Sequence, residues 1–296
     1  MKSILYLYAE SSVHAGTGSG LGAVDLPIQR ERYTNYPVIQ GSGVKGALRT
    51  NFDGDESRKV ALFGKEPDDK DVTDHASAIV VGDARVLLFP VRSLNGVFAY
   101  TTCPDVLARF AREAAGVAGI PAVPTVSEPT NDREETVMAA SANVMVGGDN
   151  IMLEEFGLKA NTTEEATEWG TFLAGQVLPG GGEYAYWRNR IASHLVILSN
   201  TTFRDFVTYS TEVVTRIRID STTKTVKDGA LFTQELLPAD TLLYSPVHVT
   251  ASRSRETTGD AGTLAGWLEK GIAPRFQIGG DETVGRGRVA LQWGEA

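Results

Sequence analysis

Three glycine-rich segments, widely separated in the sequence, most strongly limit what this chain can fold into. Residues 16–22 hold four glycines in seven positions, residues 41–49 hold three, and residues 279–287 hold four. Glycine weakens the interior of helices and strands, but it allows turns and close backbone approaches that other residues exclude. The segments therefore predict loops or element ends at three points, with regular structure between them.

The hydrophobic pattern between these loops mixes strands and helices without strict β–α–β alternation. The pattern predicts strands over residues 3–9, 78–91 (broken near 82), 97–101, 194–199, 212–220, 241–250, 275–278 and 288–293. Helices are predicted over residues 44–52, 106–117, 163–177, 183–191 and 264–270, whereas 53–74 and the polar stretch 220–240 suggest loop and turn. This mixture favours an α+β fold. Without an internal repeat or linker, residues 1–296 are expected to form one elaborated domain.

Composition excludes several classes of protein. Of the 296 residues, 42% are hydrophobic and 22% charged, which is ordinary globular usage and argues against global disorder. Cys103 is the sole cysteine, so the chain has no disulfide framework and no cysteine-based zinc site. No run of about 18 apolar residues predicts a membrane span, and the start lacks the features of a signal peptide. We therefore expect no membrane partner and a cytoplasmic location.

The net charge of −9 argues against a nucleic-acid partner until the charge is mapped. Residues 128–169 hold ten acidic and two basic side chains, a local charge of −8 that leaves −1 for the rest. We expect that stretch to be a solvated, partly helical surface. Residues 1–52 and 204–227 are each +2. The charge distribution thus leaves nucleic-acid binding open.

The segment from Gly41 to Arg49 is the strongest local signal for an anion site. Ser42 is a suitable N-cap, and the N–H groups of Gly41–Gly43 at a helix N-terminus favour negative charge. Lys45 and Arg49 lie four residues apart and are expected to project along one side. The spacing of a P-loop is absent. An ordinary amphipathic helix with two solvated cations explains the segment equally well.

Other candidate residues are weaker when taken alone. Gly279 and Gly280, with Arg286, form a second loop that could approach an anion, or a long hairpin turn. Asp25 lies in a loop, where an aspartate usually forms a turn or a cap, and His14 is more often structural than catalytic. The four histidines have no metal-ligand spacing.

Taken together, however, motifs distributed from residue 14 to residue 287 resemble the RAMP superfamily. The motifs are His14-x-Gly, Asp25-x-Pro-Ile-x-Arg30, Pro37-x-Ile39-x-Gly41-Ser42-x-x-Lys45-Gly46-x-x-Arg49, Gly82-Asp83-Ala84-Arg85, Phe89-Pro90-Val91-Arg92-Ser93, Arg218-Ile219-Asp220, Asp228-Gly229-Ala230-Leu231-Phe232-Thr233-x-Glu235 and Gly279-Gly280-x-x-Thr283-x-Gly285-Arg286-Gly287. More narrowly, the chain resembles the repeated backbone subunit of type III-B CRISPR effector complexes.

This resemblance implies an RRM-like, ferredoxin-like core with large insertions. One insertion is a β-hairpin thumb at about 220–240. The acidic stretch matches none of these motifs, and we take it as a helical insertion at about 128–170. Such subunits stack into a helical filament along a guide crRNA, next to other Cmr subunits. Each thumb wedges into the guide–target duplex and displaces nucleotides, and the target RNA is cut beside each displaced nucleotide.

The resemblance also assigns site residues. Asp25 matches the catalytic, metal-binding aspartate, and the metal is a divalent cation, Mg²⁺ or Mn²⁺. Glu235 and His14 match residues with supporting claims, although Leu236 and Leu237 follow Glu235 where the family has a glutamate and an aromatic residue. Gly41, Ser42, Gly43, Lys45, Arg49, Gly279, Gly280 and Arg286 are expected to bind RNA.

The chemistry agrees with a single essential carboxylate. RNA carries its own nucleophile, the 2′-OH, and displacing a nucleotide lets the backbone rotate towards in-line attack. One aspartate can then hold a metal ion or act as a base. Three alternatives stay open: a purely structural crRNA-binding subunit, a metal-independent RAMP endonuclease that processes guide RNA with a histidine, and a type III-A backbone subunit.

Overall fold

Strands and helices mix irregularly in the computed structural model, which describes residues 1–20, 22–65, 75–130 and 135–294. The strands of this part are β1 (Lys2–Ala9), β2 (Val38–Ile39), β3 (Ile79–Val81), β4 (Ala84–Ser93), β5 (Val97–Thr102), β6 (Thr136–Ala139), β7 (Asn150–Leu153), β8 (Phe156–Thr162), β9 (Leu195–Ile197), β10 (Glu212–Ile219), β11 (Val226–Leu236), β12 (Leu242–Val249), β13 (Arg275–Gln277) and β14 (Arg288–Gly294). The α-helices are α1 (Gly41–Thr50), α2 (Glu56–Phe63), α3 (Pro104–Glu113), α4 (Glu164–Gln176), α5 (Ala185–His194), α6 (Asn200–Tyr209) and α7 (Ala261–Gly271). The mixture confirms the predicted α+β class.

A twelve-stranded sheet carries most of the fold, and β10 and β11 form a separate two-stranded sheet. The order of the large sheet is β13-β14-β1-β12-β4-β5-β9-β6-β8-β7, with β2 paired to β4 and β3 to β12. Leu153 of β7 also pairs with Ser93 of β4, which closes six strands into a barrel-like ring. Within the described ranges, no helix is long and apolar enough to cross a membrane.

Strand β1 lies at the centre of the core between β12 and β14. Its residues from Ile4 to Tyr8 are at most 3% exposed, so both of its faces are buried. Helix α1 packs one face inward, as its periodicity predicts, because Val44 and Leu48 are fully buried and Phe52 is 8% exposed. These elements hold the loops that follow β1 and precede α1.

The start of α1 differs from the prediction. Ser42 was expected to cap the helix, but the N-cap residue is Gln40 and its side chain makes no capping hydrogen bond. Instead Asp83, in the β3–β4 turn, accepts the Gly41 N–H at 2.8 Å. A carboxylate from a neighbouring turn thus caps the N-terminus of α1. The expected loop at 53–74 contains α2, and its residues from 66 onward lie outside the described part.

The hairpin of β10 and β11 spans residues 212–236, so it begins earlier than the predicted 220–240. Strand β10 was expected, but β11 falls in a stretch that was predicted to be turn. This strand was missed because strands are predicted from alternating β-branched and apolar residues, and Lys-Asp-Gly at 227–229 interrupts that pattern. The turn itself is short and polar, from 220 to 225.

The acidic stretch at 128–170 was expected to be a solvated, partly helical surface. Most of its described acidic side chains are exposed, but less of it is helical than expected. It contains β6, β7 and β8, and helix begins only with α4. Glu135 is 4% exposed and accepts hydrogen bonds from the Ser199 N–H at 2.7 Å and from the Thr202 hydroxyl. Glu128 accepts the next two N–H groups at 3.0 and 3.1 Å. These carboxylates neutralise the N-terminus of α6.

Candidate functional site

The hairpin of β10 and β11 presents an apolar face to solvent. Thr215 pairs with Thr233, and the next pair on the same face is Ile217 with Leu231. Ile217 is 50% exposed and Leu231 is 65% exposed. Large apolar side chains exposed together mark a surface that contacts something else. Towards the body of the protein, Thr233 and then Glu235 continue this face along β11.

Asp25 is held at that end of the hairpin. Its Oδ2 accepts hydrogen bonds from the Thr233 N–H at 2.7 Å and from the Thr233 hydroxyl at 2.9 Å. The Asp25 N–H donates in return to the same hydroxyl oxygen at 3.0 Å. The next residue, Leu26, exchanges backbone hydrogen bonds with Thr233 and Glu235 at 3.0 Å each. The loop that joins β1 to β2, which we call the first loop, is therefore attached along the edge of β11.

The environment of Asp25 favours the ionised carboxylate. The hydrogen bond from the Thr233 N–H, followed by that from the Thr233 hydroxyl, lowers the pKa of Asp25 below its ordinary value. The side chain is exposed. No other residue in the described part of the chain donates a hydrogen bond to Oδ1. One charged oxygen is thus available to a ligand.

Glu235 lies two residues further along β11, on the same face as Thr233, but its side chain is buried. Its Oε1 accepts hydrogen bonds from Arg30 at 2.6 Å and from Thr211 at 2.8 Å. Its Oε2 accepts the Ile28 N–H at 3.0 Å. These donors satisfy the carboxylate as a buried charge must be satisfied. Glu235 therefore anchors the first loop to the hairpin, and its predicted part in cleavage stays a prediction.

His14 contacts the same strand through its ring. Nδ1 lies 2.8 Å from the Glu235 carbonyl oxygen, and because a carbonyl can only accept, Nδ1 carries the proton of this bond. A Cβ on Gly16 would lie 2.6 Å from His14 Nε2, so glycine is needed for the ring to fit. The three predicted catalytic residues, His14, Asp25 and Glu235, are thus all connected to the segment Thr233–Glu235, which we call the hairpin base.

The opposite face of the hairpin base is attached to the last glycine-rich loop. Asp281 accepts hydrogen bonds from Gln234 and from Arg216, each at 2.6 Å. Burial raises the pKa of the Asp281 carboxyl, but the hydrogen bonds from Arg216 and Gln234 outweigh burial and hold the pKa below its ordinary value. The hairpin is therefore fixed from both faces, by Asp25 on one and by Asp281 on the other.

Gly279 of this last loop is required by a close contact within the protein. A Cβ on Gly279, where φ is +87°, would lie 2.6 Å from the His14 carbonyl oxygen. The Gly280 N–H donates to that same oxygen at 2.9 Å. Arg286 lies 3.9 Å from Glu212 at the start of β10. The predicted RNA-binding role of Gly279, Gly280 and Arg286 stays a prediction, and the loop has a structural role beside His14.

The first turn of α1 offers less to an anion than its sequence suggests. The Gly41 N–H is bound by Asp83, and the Gly43 N–H donates to the Gln40 carbonyl at 2.8 Å. A Cβ on Gly41 would lie 2.4 Å from the Val81 carbonyl oxygen, which explains that glycine. Ser42 is an exposed residue, and its N–H has no acceptor in the described part of the chain.

Lys45 and Arg49 lie near each other, as their spacing predicts, but their side chains have different environments. Arg49 Nη1 donates to the Gly64 carbonyl at 2.5 Å, which turns the guanidinium towards the protein. Lys45 is half-buried, and burial, followed by the nearby Arg49 charge, lowers the pKa of its ammonium group. Lys45 has no ion-pair partner among the residues described.

Gln29 joins this helix to the first loop, and sequence reasoning missed it. Its Oε1 accepts the Gln40 N–H at 2.8 Å, and its Nε2 donates to the Gly16 carbonyl at 3.1 Å. Sequence reasoning also passed over the partners of Asp25 and Asp281, namely Thr233 and Gln234. The spacing in Thr233-x-Glu235 was the one available signal, because it places two polar residues on one face of a strand.

Across the described ranges, no group of three or more His, Cys, Asp and Glu side chains could hold a metal ion. Asp25 is exposed and its Oδ1 makes no hydrogen bond with another described residue, so this oxygen could hold a divalent cation. Mg²⁺ usually keeps several waters and takes one or two carboxylates together with substrate phosphates. A single carboxylate therefore fits a cation that is shared with a phosphate-bearing ligand.

Comparison with known proteins gives one consistent result. A family model described as the RAMP superfamily matches residues 6–290. The CRISPR system Cmr endoribonuclease Cmr4 of Pyrococcus furiosus is 38% identical over 298 residues, which cover 98% of this chain and 95% of that protein. A crystal structure of oligomeric Cmr4 from that organism gives a TM-score of 0.73 at 31% identity, covering 100% of this chain and 98% of the other. A chain of a type III-B Cmr-beta complex bound to cognate target RNA has the same fold, with a TM-score of 0.70 at 19% identity and coverage of 99% and 97%.

Proposed function

Because the chain belongs to the RAMP superfamily, and within it to the family of Cmr4, we propose that it is the repeated backbone subunit of a type III-B CRISPR ribonucleoprotein. In this proposal the subunit binds guide crRNA, stacks on copies of itself and on other Cmr subunits, and cleaves complementary target RNA at regular intervals. The core around β1, β12 and β14 is interpreted as RRM-like, and the β10–β11 hairpin as the thumb.

One observation carries this proposal: an exposed carboxylate lies at the base of an exposed apolar hairpin face. The Asp25 carboxylate is bound by Thr233, and the cross-strand pair Ile217 and Leu231 continues the same face outward. Apolar side chains that protrude from a protein can separate stacked bases. The arrangement therefore supports base displacement and backbone cleavage at neighbouring points.

The chemistry needed from the protein is then small. In a regular A-form helix the 2′-OH is not in line with the leaving 5′-oxygen, and displacement of a nucleotide allows the backbone to rotate towards in-line geometry. The hairpin supplies this displacement in our proposal. Asp25, ionised and exposed, lies where it can take a proton from the 2′-OH or orient the reacting group.

We propose that Asp25 Oδ1 holds Mg²⁺ or Mn²⁺ when RNA is bound. Such a cation stabilises the charge that develops on the phosphate oxygens. Oδ2 remains engaged by Thr233, so the carboxylate offers one oxygen in a fixed direction. His14 and Glu235 keep the loop that carries Asp25 in place.

Guide binding is proposed at the start of α1. Lys45 is half-buried and lacks an ion-pair partner among the described residues, and the N–H of the exposed residue Ser42 lies one turn before it. A cation and an unpaired N–H at a helix N-terminus suit a phosphate. Such contacts grip the backbone without reading sequence, which is left to base pairing. Arg49 contributes in this proposal by packing beside Lys45.

The test is cleavage of a labelled target RNA by the assembled complex, with and without Mg²⁺. We expect cuts at constant spacing that stop in EDTA, and we expect Asp25→Asn to abolish them while target binding is kept. A target protected at every position would favour the purely structural subunit. Cleavage of precursor guide RNA that survives EDTA would favour the processing endonuclease.

A further inference from the structure

We propose that Thr233 is a positioning residue, whose hydroxyl fixes the direction in which the Asp25 carboxylate faces the RNA backbone. This inference rests on the proposed function. It assigns to a side chain of the hairpin a part in cleavage that is separate from displacing a nucleotide.

The hydrogen bonds between the two residues form a closed arrangement. The Thr233 hydroxyl accepts the Asp25 N–H at 3.0 Å and donates to Asp25 Oδ2 at 2.9 Å. The same Oδ2 accepts the Thr233 N–H at 2.7 Å. One threonine thus contacts both the backbone and the side chain of the aspartate. The hydroxyl has its donor and one acceptor site occupied.

The backbone alone already holds the first loop on the hairpin. The Leu26 N–H donates to the Thr233 carbonyl, and the Glu235 N–H donates to the Leu26 carbonyl, each at 3.0 Å. The loop is also held by Ile28 through its N–H to Glu235. The Thr233 hydroxyl is therefore not needed to keep the loop in place, and its own effect is on the carboxylate.

An exposed aspartate without such a partner would sample several side-chain rotamers. Asp25 is exposed. Threonine is stiff at χ1 because it is β-branched, so its hydroxyl is a fixed point. The neighbouring residue Gln234 is bound to Asp281, which fixes the strand from its other face. The direction of Oδ1 therefore follows the position of the hairpin.

The experiment compares Thr233→Val with Thr233→Ser in the assembled complex loaded with guide RNA. Valine keeps the shape and the strand preference but lacks the hydroxyl, and serine keeps the hydroxyl. We expect Thr233→Val to slow single-turnover cleavage by about 10- to 100-fold, the size of effect that misplacing a reacting group produces. Thr233→Ser should stay within about threefold of the parent rate, and target affinity should be unchanged in both.

A second readout separates positioning from a merely structural effect. The backbone hydrogen bonds hold the first loop without the hydroxyl, so Thr233→Val should keep the parent melting temperature and target affinity and lose only cleavage rate, which serine should restore. Thr233→Ala lacks the hydroxyl too and should reproduce the valine result. If Thr233→Val keeps the parent cleavage rate while Asp25→Asn is inactive, the positioning role is wrong and the proposed function stands. If Asp25→Asn itself cuts at the parent rate, the proposed function is wrong.

Discussion

Arg30 Nη2 lies 2.6 Å from Glu235 Oε1, and the two side chains are 15% and 8% exposed. This ion pair connects the first loop with β11 across 205 residues of sequence. Arg30 Nη1 also donates to the Asn35 and Val207 carbonyls, each at 2.8 Å, so the pair joins the first loop, α6 and the hairpin. A buried pair that links three elements is a structural junction, and Asp25 is carried on one of them.

We expect Glu235→Ala to destabilise the protein by roughly 3 kcal/mol, because it leaves the buried Arg30 charge without its carboxylate. Urea unfolding of the purified chain measures this loss. The double variant Arg30→Ala with Glu235→Ala should cost clearly less than the sum of the two single variants. Strict additivity would show that the pair does not stabilise the fold.

Glu235→Gln tests whether this residue acts in cleavage or holds the loop. Glutamine keeps an acceptor oxygen for the Ile28 N–H, so the first loop should stay on the hairpin, and we expect cleavage within about tenfold of the parent rate. Asp25→Asn, measured beside it, should lose cleavage. A Glu235→Gln variant that is as inactive as Asp25→Asn, with an unchanged melting temperature, would give Glu235 a direct part in the chemistry.

Lys45 and Arg49 should give different results when each is replaced by alanine. Lys45→Ala is expected to weaken guide RNA binding and to lower the slope of log affinity against log salt by about 0.7, the value for one phosphate contact on a single strand. Arg49→Ala should instead lower the stability by about 1–3 kcal/mol, because the Gly64 carbonyl loses its donor. Filter binding across a salt series, with thermal melts of both variants, measures the two effects.

Ser42→Ala is the matched control for Lys45→Ala. It leaves the Ser42 N–H in place and removes a hydroxyl that does not cap the helix, so binding and melting temperature should match the parent. Equal loss of guide binding in Lys45→Ala and Arg49→Ala, at unchanged stability, would contradict the division of roles.

The sequence predicted the elements whose periodicity is strong. Strand β1 and helices α1 and α4 were expected. Thr163, the first residue of the predicted 163–177 helix, is the N-cap of α4, and its hydroxyl accepts the Ala166 N–H at 3.2 Å. Each of these depends on residues that are close in the chain. Strand β11 was missed because its pairing with β10 overrides the weak strand preference of its polar residues.

The site was predictable in part, through its resemblance to a family. The family resemblance assigned His14, Asp25 and Glu235 to the site, and the structure connects all three to one strand. What sequence could not predict is which polar groups are satisfied internally. The Gly41 N–H donates to Asp83, which is 42 residues away in the sequence, and no local sequence pattern predicts such a bond. The same holds for the burial of Glu135, which charge counting assigned to the surface.

The stability of the hairpin should depend on pH through Asp281. The pKa of Asp281 is lowered in the folded protein, since the hydrogen bonds from Arg216 and Gln234 outweigh burial. A lowered pKa contributes stability that is fully present above the unfolded-state value of about 3.9 and is lost as pH falls through the folded-state pKa. Asp281→Asn removes this contribution. We therefore expect the parent to be more stable than Asp281→Asn above about pH 4, and the difference to shrink at lower pH. Urea unfolding of both proteins from pH 3 to pH 7 measures it, and a difference that stays constant over that range would mean that the Asp281 charge does not hold the hairpin.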